Sequence, residues 1–188
     1  MSDPWFFGYG SLVNRATHAY GGGQPARLHG WRRAWRATDA RAVAYLTIVP
    51  DAGAVIDGLM APVPGGDWAA LDRREAAYDR LDGQDVRHDA PARPGVSVYA
   101  IGAGRSRAAS RGQPVLLSYL DVVVQGFLAE FGPAGVARFF ASTDGWDTPI
   151  LNDRAAPRYP RAQVLSAHDR RLVDDWLGTV GARLVNDG

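Results

Sequence analysis

The sequence contains no cysteine and no lysine, and each absence removes a class of chemistry. Without Cys the chain has no disulfide, no thiol nucleophile and no thiolate metal ligand. All 21 basic residues are Arg, which excludes a Schiff-base lysine and the phosphate-binding loop whose motif requires Lys. The four histidines are scattered without the spacing of metal ligands, so no metal site is expected.

The sequence also lacks a strong net charge, and we do not expect its start to be a secretory signal. Its net charge is +1, which gives no general attraction to nucleic acid or to membranes. The start, MSDPWFF, has no basic region of the kind that opens a secretory signal. The longest apolar stretch, residues 114–132, is interrupted by four polar residues, so we do not expect a membrane span. We expect a cytoplasmic protein that binds neither nucleic acid nor membrane.

The pattern of apolar residues predicts strands in the first half of the chain and helices in the second. The predicted strands are 4–10, 26–38, 43–50, 54–62, 84–89 and 96–101. The predicted helices are 67–81 (capped by Asp67), 114–131, 133–141 and 168–185. A tight turn is expected at 50–53, a loop at 102–112 and a long irregular segment at 142–163. This order favours an α+β domain over an alternating βαβ fold.

The stretch FFGYGSLVNR, residues 6–15, places two glycines and a hydroxyl at the end of the first predicted strand. It is not a dinucleotide-binding motif, because G-x-G-x-x-G requires Gly where Val13 stands. It also lacks the last Gly of G-x-S-x-G, so Ser11 is not expected to be a hydrolase nucleophile. Two interpretations remain open. The glycines either only permit positive φ in a turn, or expose a nest of N–H groups that holds a carboxylate or a developing oxyanion.

A carboxylate falls on the apolar side of the predicted helix 67–81. At about 100° per residue, Glu75 lies between Leu71 and Trp68. Burial would raise the pKa of Glu75, which is the direction wanted for a general base near neutral pH. The alternative is a structural role, in which Arg74 of the same arc binds some other acid and Glu75 stays at the rim.

Two arginine-rich stretches are open to functional or structural interpretation. HGWRRAWR, residues 29–36, is favoured as a strand with an outward Arg face and with Trp31 and Trp35 packed in the core, rather than as a nucleic-acid patch. The predicted loop 102–112 holds three Arg residues. It is either a solvated loop or a mobile one that grips a substrate carboxylate.

The order and spacing of these features resemble the γ-glutamylcyclotransferase superfamily. FGYGSLVN at the first strand is followed by L-D-x-x-E-x-x-Y-x-R at residues 71–80, and then by Pro114 and Tyr119 in PVLLSY. The resemblance covers residues 4 to about 125. It implies an α+β fold with a small closed barrel-like mixed β-sheet and flanking helices. On this basis residues 1–188 form one domain, with 132–188 as a helical and irregular C-terminal extension.

The resemblance also implies an activity. The protein would be a γ-glutamylcyclotransferase-type lyase or acyltransferase of glutathione metabolism, which releases 5-oxoproline from a small-molecule γ-glutamyl substrate. Glu75 would be the catalytic base, and no cofactor or metal would be required. The residues implied to contact substrate are Tyr9, Gly10, Ser11 and Leu12, through their backbone, and Tyr119.

Some features depart from the family pattern and leave alternatives open. Ala76 follows Glu75 where some members have Gly, and residues 139–161 extend beyond the core resemblance. The leaving group of the substrate therefore stays open, and so does a non-catalytic module that binds a small carboxylate or regulates a partner. The presence of Glu75 favours the enzyme, since a retired enzyme is free to lose its base. Residues 142–161 are expected either to wall the pocket or to form a structural strap.

Overall fold

The structure, a computed structural model, describes residues 3–83, 85–89, 95–109 and 112–186. Residue 84 of the predicted strand 84–89 and residues 110–111 of the predicted loop lie outside this part. The strands are β1 (Trp5–Gly8), β2 (Gln24–Ala37), β3 (Ala44–Pro62), β4 (Asp79–Asp82), β5 (Val86–His88), β6 (Val96–Ala100), β7 (Arg107–Ala108), β8 (Val115–Leu116), β9 (Thr143–Asp144), β10 (Ile150–Leu151) and β11 (Leu184–Val185). The helices are α1 (Ala69–Arg74), α2 (Leu117–Ala141) and α3 (Ala167–Thr179), with short 3₁₀ turns at Ser11–Val13, Arg15–Thr17, Pro64–Gly66 and Ala103–Arg105.

The main sheet is mixed and curls into a half-barrel. Its strands run in the order β4-β6-β1-β3-β2-β5, and β7 and β9 also pair with β2. β1 is parallel to β6 and antiparallel to β3, so the first strand lies inside the sheet. A second, parallel sheet has the order β11-β10-β8. The predicted α+β class, with a barrel-like mixed sheet and flanking helices, is confirmed; the sheet is a half-barrel where a closed one was expected.

β3 is a single long strand, and the tight turn predicted at 50–53 is wrong. Both halves of β3 pair with β2, whereas a turn at that point would have sent the second half back along the first. The register shifts where His29 pairs with Val55 but Trp31 pairs with Pro50. Four residues of β3 therefore stand opposite Gly30 alone, which has φ 78°. Such an irregularity bends a strand and increases its twist, which favours a curled sheet.

α1 is much shorter than the predicted helix 67–81. Asp67 does act near its start, since the Asp67 carboxylate accepts from Ala69 N–H at 3.1 Å. The helix ends at Arg74, and residues 79–82 instead form β4, which pairs with the edge of β6. Pairing with that edge gives their backbone groups partners that a longer helix would have supplied locally. The helical wheel was therefore wrong for every residue after Arg74.

α2 is the long helix of the core. It breaks at Gly132, where φ is 64°, and Pro133 follows, in agreement with the predicted division into 114–131 and 133–141. It begins at Leu117 because the two residues before it pair as β8. By length and composition alone α2 is apolar enough to cross a membrane, but half of its most apolar stretch is buried inside the protein. That burial is typical of a core helix.

The C-terminal part contains more regular structure than the sequence predicts. Within the segment expected to be irregular, β9 joins β2 and β10 joins β8. α3 ends at Thr179 instead of continuing to 185, because β11 pairs with β10. Backbone pairing therefore fixes the first part of this segment, at residues 143–144 and 150–151.

Candidate functional site

The glycine turn follows β1 directly. Residues Ser11–Val13 form one 3₁₀ turn, in which Val13 N–H donates to the Gly10 carbonyl at 3.0 Å. Within the described part of the chain, no backbone carbonyl accepts from the N–H groups of Gly10 or Leu12. Both residues line a recess together with Ser11. The turn therefore lies where a nest of N–H groups would act, and the nest interpretation stays a prediction.

The glycines of this turn are required for close approach and not for positive φ. Neither Gly8 nor Gly10 has φ above zero, so that interpretation of the turn is wrong. A Cβ on Gly8 would lie 2.4 Å from Leu12 Cβ, and one on Gly10 would lie 2.6 Å from the Tyr119 hydroxyl oxygen. Real Cβ contacts essentially never come this close. Gly10 thus lets the ring of Tyr119 reach over the turn.

Gly10→Ala should lower the thermal midpoint and hinder the recess, because the new methyl group must displace Tyr119. Overpacking of this kind costs about 1–3 kcal/mol. Adding Tyr119→Phe removes the clashing oxygen, so the double variant should recover most of the lost stability. Gly21→Ala is the matched control, since a Cβ there meets nothing within 4 Å. Thermal melts of the four proteins check this, and equal midpoints for Gly10→Ala and the parent would contradict the steric argument.

Arg33 binds the backbone of the glycine turn at Tyr9, a contact that the sequence did not predict. Its side chain is fully buried, so the outward Arg face expected on β2 does not include Arg33. Nε donates to the Tyr9 carbonyl at 2.8 Å, Nη2 donates to the Asp57 carbonyl, and Nη1 donates to Ser142 Oγ at 2.8 Å. Burial lowers the pKa of Arg33 to about 9. One cation therefore fixes the carbonyl of the residue that opens the turn.

Glu75 stands at the C-terminal end of α1, where the chain leaves the helix. Its N–H still donates to the Leu71 carbonyl at 2.9 Å, while its own φ of −98° and ψ of 28° are not helical. Its side chain is 15% exposed. The end of the helix, and not an apolar helical face, thus directs the carboxylate into the recess.

Arg74 connects this carboxylate to the glycine turn. Its Nε lies 3.1 Å from Glu75 Oε1, and its Nη2 donates to Ser11 Oγ at 3.2 Å. Further bonds reach the carbonyl and hydroxyl of Thr17. The predicted alternative, in which Arg74 binds a different acid, is wrong, because its partner is Glu75 itself. The ion pair and the turn are parts of one site.

The pKa of Glu75 is raised above its ordinary value of 4.5. Burial is the largest cause, and the charges of Arg74 and Arg161 and the Arg74 hydrogen bond oppose it. Because burial outweighs the ion pair, the carboxyl group holds its proton more tightly than it would in water. This is the direction that the sequence predicted, and it suits a group that exchanges protons near neutral pH.

One recess brings together every predicted site residue. Glu75, the four residues of the turn and Tyr119 all line it. The sequence missed its other lining residues, which are Phe7, Gly8, Leu46, Tyr78 and Tyr99. Tyr78 could have been predicted from the sequence, since it is the Tyr of the motif that contains Glu75. Among the described residues, no group of three His, Asp or Glu side chains is arranged to hold a metal ion.

Tyrosine side chains line the recess beside Glu75. Burial is the main reason why the pKa values of Tyr9, Tyr78 and Tyr119 lie well above ordinary, so all three stay protonated. Tyr9 donates to the Tyr99 carbonyl at 2.6 Å and Tyr78 donates to the Leu46 carbonyl at 3.0 Å. These two hydroxyls thus bind backbone carbonyls, whereas the Tyr119 hydroxyl stands over Gly10 and hydrogen-bonds to the backbone of Ser11.

Part of the segment 142–161 forms a wall of the site. The recess adjoins an outer cleft of about 390 Å³, which shares Ser11, Glu75 and Tyr119 with it and is lined on another side by residues 158–161. The ring of Tyr159 packs edge-on against Tyr119, with centroids 5.0 Å apart. The 142–161 segment was predicted to be either a pocket wall or a strap, and the part at 158–161 is a wall.

The preceding residues of the segment are a strap. Asp153 is buried and accepts from the N–H and the hydroxyl of Ser118 at 2.7 and 2.6 Å, at the first turn of α2. Arg154 makes two hydrogen bonds to Asp121, at 2.8 and 2.7 Å. These contacts fix the chain beside Tyr119 and so place residues 158–161 at the cleft.

Known proteins share parts of this sequence and its fold. The family model described as ChaC-like protein matches residues 4–105, which include the turn and Glu75. None of the curated proteins matches the sequence. Among solved structures, one named gamma-glutamyl cyclotransferase is 13% identical, with TM-score 0.58, 92% of this chain covered and 99% of that chain.

Two further structures share the fold. An uncharacterized protein from Homo sapiens has TM-score 0.59 and 13% identity, with 93% of this chain and 99% of that chain covered. YkqA from Bacillus subtilis has TM-score 0.58 and 16% identity; the alignment covers 73% of this chain but only 52% of YkqA. This chain therefore spans about half the length of YkqA. Because the family model covers more than half of this sequence, the chain belongs to the ChaC-like protein family.

Proposed function

We propose that this protein is a γ-glutamyl cyclotransferase, which releases 5-oxoproline from a γ-glutamyl peptide or amide. The observation that carries the proposal is that Glu75, a largely buried carboxylate, lines the same recess as Gly10 and Leu12, whose N–H groups donate to no backbone carbonyl in the described part of the chain. The membership of the ChaC-like family and the shared fold with a structure named gamma-glutamyl cyclotransferase support it.

The reaction needs no nucleophile from the protein. The α-amine of the γ-glutamyl group attacks the γ-carbonyl carbon, the amide C–N bond breaks, and a five-membered lactam forms. This suits a chain without Cys or Lys. The main demand on the site is geometric, because the flexible γ-glutamyl chain must be folded into its ring-forming shape.

Glu75 serves as the general base and acid. The substrate amine is mostly ammonium at neutral pH, so a base must take its proton before attack. Glu75 accepts that proton and returns it to the leaving nitrogen, a role worth about 10²–10⁴ in rate. The turn at Gly10 and Leu12 binds the α-carboxylate or stabilises the oxyanion, and one oxyanion donor is worth roughly 10²–10³. Tyr119 contacts the substrate above the turn.

The direct test is product release. The protein is incubated with glutathione, γ-glutamyl dipeptides and γ-glutamylamines, and 5-oxoproline is measured by mass spectrometry. We expect 5-oxoproline from at least one class at a rate well above that without protein. Absence of product from every class would overturn the proposal and favour the non-catalytic carboxylate-binding module.

The pH dependence should follow the ionisation of Glu75. The base must be deprotonated, so kcat/KM should fall on the acidic side as the pH drops through a pKa above 4.5. Arg74→Gln removes a guanidinium that lowers this pKa, so its acidic limb should move to higher pH. Profiles of 5-oxoproline release for both proteins test this. If the acidic limb of the Arg74→Gln profile lies at the same pH as that of the parent, this limb does not reflect the ionisation of Glu75.

A further inference from the structure

A hydroxyl that lies outside the recess binds the Ser11–Leu12 peptide unit. Thr17 Oγ1 donates to the Ser11 carbonyl at 2.9 Å. A trans peptide unit is planar, so its carbonyl and its N–H point in opposite directions. The bond at the Ser11 carbonyl therefore directs the Leu12 N–H away from Thr17. This N–H is one of the two in the turn that donate to no backbone carbonyl in the described part of the chain.

The same hydroxyl accepts a hydrogen bond from Arg74. Arg74 Nη2 donates to Thr17 Oγ1 at 3.1 Å, and Arg74 Nη1 donates to the Thr17 carbonyl at 2.8 Å. Because Arg74 also pairs with Glu75, a continuous chain of hydrogen bonds runs from this ion pair through the hydroxyl to the Ser11 carbonyl. Hydrogen bonds in such a chain polarise one another. The charge of Arg74 therefore strengthens the Leu12 N–H as a donor to an anion.

Thr17 is itself fixed by the core of the protein. Its side chain is buried, and its N–H and its hydroxyl lie 3.0 and 2.9 Å from the Asn14 carbonyl. The Asn14 amide in turn donates to the Val122 carbonyl of α2 at 3.0 Å. α2 packs so closely here that a Cβ on Gly126 would lie 2.6 Å from Asn14 N. A hydroxyl anchored in this way can hold a peptide unit in one orientation.

We propose that Thr17 is a positioning residue of the site, which orients the Leu12 N–H toward the anionic part of the substrate. The inference rests on the proposed function, in which that part is the α-carboxylate or the oxyanion. Thr17 lines neither the recess nor the outer cleft, so it does not touch the substrate itself. Its contact parallels that of Arg33, which binds the carbonyl of the peptide unit that carries the Gly10 N–H.

The test removes the hydroxyl and keeps the shape of the side chain. Thr17→Val is assayed with the γ-glutamyl substrate that the parent turns over fastest, and we expect kcat/KM for 5-oxoproline release to fall about tenfold. The loss should be smaller than the roughly 10²–10³-fold that follows removal of an oxyanion donor, because the donor stays and only its alignment is lost. A fall in kcat assigns the N–H to the oxyanion, and a rise in KM assigns it to the α-carboxylate.

Thr17→Ser is the rescue variant. Serine keeps the hydroxyl and loses only a methyl group, so kcat/KM should stay within about twofold of the parent value.

Thr143→Val is the matched control. Thr143 is also buried, and its hydroxyl donates to the Phe139 carbonyl at 2.6 Å, but it lines neither the recess nor the outer cleft. Both Val variants should melt earlier than the parent, because each leaves a buried carbonyl without this donor. Only Thr17→Val should lose turnover per folded molecule.

The amide resonance of Leu12 reports the same contact without turnover. In an amide NMR spectrum of the free protein, this resonance should move in Thr17→Val and stay near its parent position in Thr17→Ser. The reason is that the bond at the Ser11 carbonyl polarises the Leu12 N–H. Thr143→Val should leave this resonance unchanged.

The outcomes distinguish the two proposals. Normal turnover in Thr17→Val, or an equal loss in Thr17→Ser or Thr143→Val, would overturn the positioning role and leave the cyclotransferase activity in place. An unmoved Leu12 resonance in Thr17→Val would also overturn the positioning role. No 5-oxoproline from the parent with any γ-glutamyl substrate would overturn the proposed function, and the positioning role with it.

Discussion

Glu75→Gln should lower kcat for 5-oxoproline release by about 10² or more, the usual scale for loss of a general base. Gln keeps the shape of the side chain and still accepts a hydrogen bond from Arg74, but it cannot take the ammonium proton. Substrate affinity should change much less, because the γ-glutamyl group is held by the backbone at Gly10 and Leu12. Single-turnover assays and equilibrium binding of substrate to the variant measure the two effects separately.

The stability of this variant distinguishes a catalytic from a structural Glu75. Burial raises the pKa of Glu75 despite its ion pair, so the fold favours the uncharged form of this side chain. A neutral Gln should therefore leave the thermal midpoint at pH 7 unchanged or slightly higher. A structural ion pair would behave in the opposite way, since removal of one buried partner costs roughly 3–5 kcal/mol.

Glu130→Gln is the matched control. Glu130 is also a largely buried carboxylate paired with arginine, 2.5 Å from Arg15 Nε, but it does not line the recess or the cleft. This variant should keep its turnover. If Glu75→Gln instead melts much earlier and retains near-normal turnover per folded molecule, Glu75 is a structural residue and the catalytic assignment is wrong.

The residues of the site were predictable because they lie in short contiguous motifs. The turn that contains Gly10 and Ser11, and the motif that contains Glu75, each occupy fewer than a dozen residues. Local sequence indicates which residues stand together in such a motif even when the secondary structure is wrong. The predicted helix 67–81 was wrong after Arg74, yet Glu75 is in the recess, because the end of α1 places it there.

The features that the sequence did not predict depend on pairing between segments that are far apart in the chain. The single strand β3 follows from pairing both of its halves with β2, and β4 follows from the free edge of β6. Neither partner is visible in the local pattern of residues 50–53 or 79–82. The arginines that line the outer cleft likewise come from three separate parts of the chain, at 41, 73–74 and 158–161. Their convergence is a property of the fold and not of any motif.

The burial of Arg33 was also not predicted, although the sequence contains a signal for it. Side chains alternate between the two faces of a strand, so Arg33 shares a face with Trp31 and Trp35. Both tryptophans were expected in the core, and Trp35 is 2% exposed. The same alternation therefore points Arg33 inward. Its charge argued for the surface, and the structure shows instead that backbone carbonyls and the rings of Phe127 and Phe139 surround it.

Arg33→Met should lower the free energy of unfolding by about 3 kcal/mol or more. Replacing a buried charged group by an apolar one is often neutral when its partners are replaced as well. Here the main partners are the carbonyl oxygens of Tyr9 and Asp57, which no side-chain substitution removes. Each buried acceptor left without a donor costs about 1–3 kcal/mol. Urea unfolding measures the change, with the m-value checked for constancy.

Arg27→Met on the same strand is the control that isolates burial. Arg27 also bonds to Asp57, at 3.2 Å from the carboxylate, but its side chain is 64% exposed. Its loss should cost at most about 1 kcal/mol, as for other exposed ion pairs. Because the Arg33 guanidinium also holds the Tyr9 carbonyl at the start of the turn, Arg33→Met that still folds should bind substrate more weakly, whereas Arg27→Met should not. Equal stability of the two variants would mean that the carbonyls of Tyr9 and Asp57 find other donors, and that Arg33 does not hold the turn.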